Sequence, residues 1–119
     1  MAHQFSAGDD LIFQLESGFG ILRVLAVEGD ERETVWHLKA YEELFPDIET
    51  AEAALVSAPE SLGTRVAHMA LTERAFERTP AARLGNRPVT GEELAPYREW
   101  VERGGEVSDR SALLMLGLR

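Results

Sequence analysis

Histidine is the first residue type to consider for chemistry, because imidazole binds metal ions and transfers protons near neutral pH. The chain has three histidines, His3, His37 and His68. No two of them have the His-x-x-x-His spacing that places two metal ligands on one helical turn. We therefore predict no metal site, and we interpret the histidines as solvated or as hydrogen-bonded within the core.

Other catalytic motifs are also missing from the sequence. Cysteine is absent, which excludes disulfides, zinc–thiolate sites and thiol nucleophiles. No serine lies in a Gly-x-Ser-x-Gly nucleophile elbow, and Gly18-Phe19-Gly20 lacks the third glycine and the following helix of a phosphate-binding loop. Acidic residues are so abundant that no pair of carboxylates stands out. We predict no catalytic residue and no cofactor.

Arg23 is the most unusual charged residue, because it interrupts an apolar run between Phe19 and Val27. An arginine on an apolar strand face must pair with a carboxylate or extend its head to water. We favour an internal ion pair. The alternative is an anion- or ligand-binding arginine in a cleft that also contains His37.

The acidic residues are concentrated in the first half of the chain. The formal net charge is −9, and residues 1–60 contain 13 acidic against 3 basic residues, a balance of −10. Such a field repels a phosphate backbone, so we predict no binding to nucleic acid, and it favours encounter with a basic protein. The predicted partner-binding residues flank Pro46, and they are Glu42, Glu43, Asp47 and Glu49. The alternative is a solvated acidic surface that serves solubility only.

Four arginines form a looser basic stretch in the second half of the chain. They are Arg74, Arg78, Arg83 and Arg87. We interpret them as solvated, or as paired with the acidic first half of the same chain, rather than as a ligand site.

Length and hydropathy predict one cytoplasmic domain over residues 1–119. No repeat or linker divides the chain, and its length suffices to bury a core. No apolar run approaches the roughly 20 residues that a membrane helix needs. Residues 1–5 lack the basic and apolar regions of a signal peptide. We therefore expect no contact with a membrane.

Alternating apolar residues predict three successive antiparallel strands, a β-meander, at the start of the chain. These strands span 10–16, 19–28 and 34–41, and the second is apolar on both faces, which is typical of a central strand. A fourth strand is predicted over 64–71, and the segment from Pro80 to Thr90 is predicted to be a loop.

Helix signals follow the meander. Asp47 or Thr50 can begin a helix that runs through Val56, and Thr90 with Glu93 has capping-box spacing for a helix near 91–103. Shorter helical turns are predicted over 72–78 and 112–116. The fold class is thus α+β: a bent antiparallel sheet, or an SH3-like small barrel, with two or three covering helices.

Two segments resemble small-barrel immunity proteins of bacterial toxin–immunity systems. The first is Gly8-Asp9-x-x-x-Phe13-x-Leu15-x-x-Gly18 followed by Gly20-Ile21-Leu22-Arg23-Val24-Leu25, which is similar to their opening strands. The second is Leu84-Gly85-Asn86-Arg87-Pro88-Val89, which is similar to a later Gly-Asn-x-Pro turn. This resemblance implies a non-enzymatic inhibitor of a toxin.

Two classes of function can be distinguished at the level of sequence, and a third, a structural accessory subunit, cannot be separated from the first. The first is a protein-binding module without catalytic activity, such as an immunity-type inhibitor or a regulatory protein, whose partner has a basic surface. The second is a small enzyme or ligand-binding domain with a cleft around Arg23 and His37. The oligomeric state is not specified by any pattern in the chain.

Overall fold

The computed structural model describes residues 5–29 and 33–118 and has the α+β fold that the sequence predicts. The strands are β1 Asp9–Leu15, β2 Gly18–Gly29, β3 Thr34–Tyr41, β4 Thr64–Thr72 and β5 Ala81–Asn86. The α-helices are α1 Ile48–Ser57, α2 Glu73–Glu77, α3 Gly91–Glu102 and α4 Ala112–Leu116, and a 3-10 turn spans Pro59–Ser61. His3 and residues 30–32 of the predicted charged turn lie outside the described residues.

The described strands form one antiparallel sheet in the order β4-β3-β2-β1-β5. The first four are neighbours both along the chain and in the sheet, so the predicted meander is confirmed. β2 is the central strand, as its two apolar faces indicate. β4 and β5 are the two edges of this order, which makes it an open sheet rather than a closed barrel. Part of the β4 edge is covered, because Thr72 N donates to Ser108 O and Ser108 N donates to Ala70 O.

The predicted loop over 80–90 is wrong for residues 81–86, which form β5. This strand pairs with β1 from Asp9 opposite Asn86 to Phe13 opposite Ala81. Its sequence, Ala-Ala-Arg-Leu-Gly-Asn, lacks the aromatic and β-branched residues that favour strands. The strand forms because the free edge of β1 supplies its hydrogen-bond partners, and this long-range contact overrides weak local propensity.

Each face of the sheet carries its own apolar core. The first core lies under α2 and α4 and includes Leu22, Trp36, Leu38 and Phe76. The second core is smaller and lies under α1, where Ile21 and Tyr41 pack with Ala51 and Leu55 of the helix. α3 contacts β2 and β4. It lies over the second face, which also carries Arg23 and His37.

Side-chain caps fix where the helices begin. The Asp47 carboxylate accepts from the backbone N–H of Thr50 at 2.7 Å and begins α1. Thr90 and Glu93 form the predicted capping box, in which each side chain accepts from the other residue's backbone N–H. α3 begins at Gly91 and continues through Pro96. The capping box sets the first turn upstream of this proline.

We expect Leu25→Ala and Trp36→Ala each to lower the free energy of unfolding by roughly 2–5 kcal/mol, because both side chains are almost completely buried. Val27→Ala is the control, since Val27 lies on the same strand as Leu25 but is substantially exposed, and it should cost under about 1 kcal/mol. Urea denaturation of the three variants measures the differences. Equal losses for Leu25→Ala and Val27→Ala would show that the strand faces are assigned incorrectly.

Candidate functional site

Arg23 is fully buried beneath the start of α3, and every N–H of its guanidinium is used. Nε donates to Glu93 Oε2 at 2.6 Å. Nη1 donates to Gly8 O at 3.0 Å and to Asp10 Oδ1 at 3.3 Å. Nη2 donates to Arg87 O, Pro88 O and Glu93 Oε1 at 3.0–3.2 Å. An arginine has five N–H donors, so no donor is left for a ligand.

The two carboxylates that Arg23 binds also bind other cations. Asp10 accepts from Arg87 Nε at 2.9 Å, and Lys39 Nζ lies 3.6 Å from Glu93 Oε2. Burial raises the pKa of Glu93, but hydrogen bonds from Arg23 and from the Thr90 backbone outweigh it, so this pKa lies below its usual value. The hydrogen bonds that Arg87 donates to the Asp10 carboxylate raise the pKa of Arg87. The cluster is thus a set of charges that neutralise one another inside the fold.

The arginine therefore fits the predicted internal ion pair, and its geometry disfavours a ligand role. His37 lies on the same face of the neighbouring strand and is also fully buried. Arg23 lies beneath Glu93 on α3, whereas His37 lies beneath Tyr97 and Trp100, further along the same helix. Because solvent reaches neither side chain, the two do not form an open cleft.

His37 belongs to a hydrogen-bonded chain that crosses three strands. The carboxylate of Glu28, at the end of β2, forms a hydrogen bond with His37 Nε2. His37 Nδ1 lies 2.9 Å from Nε2 of His68 on β4, and the two rings are stacked 5.1 Å apart. Tyr97 and Trp100 of α3 pack on the His37 ring with centroid distances of 4.4 Å and 4.9 Å. This Glu28–His37–His68 chain is the most chemically distinctive feature of the described residues.

The chain has one consistent arrangement of protons when both imidazoles are neutral. An ionised carboxylate can only accept, so His37 donates from Nε2 and keeps a lone pair on Nδ1. His68 must then donate from Nε2, which leaves its own lone pair on Nδ1. Burial lowers the pKa of His37, and the hydrogen bond to Glu28 offsets only part of this effect. Burial, with smaller contributions from the charges of His37 and Arg103, lowers the pKa of His68 to about 4.

The sequence analysis missed this chain because its members come from separate strands. Glu28 and His37 are 9 residues apart in the sequence, and His37 and His68 are 31 residues apart. No local motif links the three residues. The strand alternation of each histidine was the signal that could have predicted this contact. His37 and His68 both point away from the first apolar core, toward the face on which α3 carries Tyr97 and Trp100.

The predicted partner-binding residues lie together at the junction of β3 and α1, but they differ in their roles. Glu43 accepts from the backbone N–H of Gly63 at 2.8 Å, and Asp47 caps α1. The hydrogen bonds from Thr50 lower the pKa of Asp47. Glu42 and Glu49 are exposed. Two of the four acidic residues therefore hold local structure, and two are available to a partner.

The four arginines of the second half divide into two pairs. Arg83 binds Asp9 at 3.0 Å and Arg87 binds Asp10, both in the acidic first half, as predicted. Arg74 forms an ion pair with Asp109, and Arg78 donates to the backbone oxygen of the same residue. The expectation of pairing with the first half is therefore wrong for Arg74 and Arg78, because α2 lies beside the 108–110 segment.

We expect Arg23→Met to lower the free energy of unfolding by about 3–5 kcal/mol, because it leaves two largely buried carboxylates without their shared cation. Arg74→Met is the matched control, since Arg74 also pairs with an aspartate but is 72% exposed, and it should cost far less. Urea denaturation measures both. Similar losses would refute the structural importance assigned to Arg23.

We expect stability to fall as the pH falls from about 6.5 toward 4.5. The pKa of His68 is about 4 when folded and near 6.5 when unfolded, so the unfolded state binds more protons in this range. The contribution of His68 to the free energy of unfolding is fully present above pH 6.5 and amounts to roughly 1–3 kcal/mol. His68→Gln, which does not titrate, should show a shallower slope in denaturation at a series of pH values. An unchanged slope would contradict the lowered pKa.

Comparisons with protein-family models, curated proteins and solved structures found no match to this chain. Within residues 5–29 and 33–118, no three or more histidine or acidic side chains are grouped so that they could hold a metal ion. No helix in that part of the chain is both long and apolar enough to span a bilayer. The function is therefore argued from the geometry of the surfaces alone.

Proposed function

We propose that this chain is a protein-binding module that docks a basic partner on the surface around α1. The observation that carries the proposal is a set of exposed apolar side chains among acidic residues that have no cationic partner. We call this the α1 surface, and it consists of Glu42, Leu44, Ile48, Glu49, Glu52 and Val56.

The apolar part of the α1 surface follows from the helical repeat. Ala51 and Leu55 bury one side of α1 in the second core. Ile48 and Val56 are eight residues apart, with Glu52 midway between them, so the three share one stripe that runs beside the buried side. Ile48 is 47% and Val56 81% exposed, and Leu44, just before the helix, is 45% exposed. A stripe of this kind offers apolar area to a partner at little cost to the fold.

The acidic part of this surface is not neutralised within the fold. In the described part of the chain, Glu42, Glu49 and Glu52 form no ion pair with lysine or arginine. Asp9, Asp10, Glu93 and Asp109 do form such pairs. The fold thus uses its cations elsewhere and leaves this surface negative, which favours encounter with a basic protein.

An immunity-type inhibitor of a toxin is the sharpest form of this proposal. The residues that carry the resemblance to immunity proteins lie around Arg23, since Gly8, Arg87 and Pro88 all supply carbonyl oxygens to it. In this chain, that arrangement joins β1, β2 and the turn after β5. The partner would be bound elsewhere, on the α1 surface.

The test begins with a tagged chain that captures a partner from its native host, followed by association kinetics with the purified partner. We expect the association rate constant to fall tenfold or more between low and high salt, because opposite charges steer the encounter. Glu42→Lys and Glu49→Lys should lower it at low salt, and Val56→Asp should raise the dissociation rate constant. Asp47 is left intact because it caps α1.

Glu99→Lys and Glu102→Lys are the matched controls, because they reverse exposed charges on α3. They should leave the association at low salt close to that of the wild type. If neither salt nor the α1-surface variants change the association rate constant of the captured partner, this docking site is refuted. It is also refuted if the α3 variants weaken binding as much as the α1-surface variants do.

A further inference from the structure

A cavity of about 450 Å³ lies between the edge of β4 and the end of α3, away from the α1 surface. Its lining includes His68, Trp100, Arg103, Glu106 and Met115. It therefore contains the outer end of the Glu28–His37–His68 chain. A volume of this size is sufficient for a small organic molecule.

His68 contributes a hydrogen-bond acceptor to this cavity. Its Nε2 is committed to His37, and the proton arrangement described above leaves the lone pair on Nδ1. Nδ1 has no partner within the described residues, and it is not among the fully buried side-chain atoms that lack one. The Glu28–His37–His68 chain thus fixes one tautomer and presents an acceptor where a ligand could reach it.

Two opposite charges line the same cavity. Arg103 and Glu106 are both exposed, and neither belongs to an ion pair within the described part of the chain. The guanidinium of Arg103 is close enough to His68 to contribute to its lowered pKa. The cavity therefore offers an unneutralised cation, an unneutralised anion and a neutral acceptor.

Trp100 forms a fixed aromatic wall. Its Nε1 donates to Glu106 O at 3.1 Å, and its ring packs directly against Gly105, where a Cβ would collide with the indole. Residue 105 must therefore be small for the indole to lie there. Met115 adds a flexible apolar side chain opposite this rigid ring.

We propose that this cavity binds a free α-amino acid with an apolar or aromatic side chain. Arg103 pairs with the carboxylate, Glu106 pairs with the ammonium group, and His68 Nδ1 accepts one ammonium N–H. Trp100 and Met115 contact the side chain. A neutral imidazole suits an ammonium donor, since a protonated one would repel it.

The charge pattern selects a zwitterion over simpler ions. A ligand with only a carboxylate meets the like charge of Glu106, and a ligand with only an ammonium group meets that of Arg103. An α-amino acid satisfies both charges at once, which recovers part of the desolvation cost of each. This ligand site is separate from the proposed docking of a basic protein on the α1 surface.

The test compares three matched probes: L-phenylalanine, 3-phenylpropionate, which lacks the ammonium group, and phenethylamine, which lacks the carboxylate. Each is titrated into ¹⁵N-labelled protein while the His68 imidazole and Trp100 indole resonances are followed. We expect phenylalanine to shift both resonances with a Kd on the order of a few millimolar, the range that typical ligand efficiency gives for its size. Each of the other probes should bind about tenfold more weakly.

Arg103→Gln and Glu106→Gln should each weaken phenylalanine binding several-fold, and both are exposed changes that leave the core intact. Arg98→Gln is the control, because Arg98 is an exposed arginine on α3 outside the cavity lining. No shift of either resonance at about ten times the expected Kd would overturn the proposal. Equal affinity for phenylalanine and 3-phenylpropionate, or for the wild type and Arg103→Gln, would also overturn it.

Discussion

The buried guanidinium of Arg23 is the interaction on which the rest of the structure depends. A desolvated cation in the middle of the central strand must have its charge balanced and its donors filled. Asp10 of β1 and Glu93 of α3 balance the charge. Backbone carbonyl oxygens just before β1 and just after β5 accept the other N–H groups. This single side chain therefore ties the start of β1, the segment after β5 and the first turn of α3 together.

α3 is attached to the sheet mainly through side chains that are only partly buried. None of its residues is fully buried, so the helix is held by polar and aromatic contacts rather than by an apolar interface. Glu93 binds Arg23 near one end, and Tyr97 with Trp100 covers the two histidines toward the other. The second face of the sheet is thus divided into an apolar half under α1 and a polar half under α3. The histidine chain and the cavity beside it both lie in this polar half.

The sequence predicted what depends on local chemistry. Alternation over 10–41, the Asp47 and Thr90 caps, the central position of β2 and the internal pairing of Arg23 all follow from neighbours within a few residues. It did not predict β5, whose residues form a strand only because β1 offers a free edge. Nor did it predict the contact between His37 and His68, because the β3–β4 register that joins them depends on bulges near Leu38 and Ala40. Such register shifts are set by tertiary packing and not by pattern.

The pairing of β5 with β1 has a kinetic consequence. The first three strands form from hairpins of adjacent segments, which close quickly because little chain entropy is lost. β5, by contrast, joins partners up to 77 residues away, as in the pair Asp9 and Asn86. Contacts of such high sequence separation are made late in folding. The full burial of Arg23 therefore waits for the end of the process. The nascent meander offers its guanidinium only Asp10 and the Gly8 carbonyl, and the other N–H groups stay in water until residues 81–93 arrive.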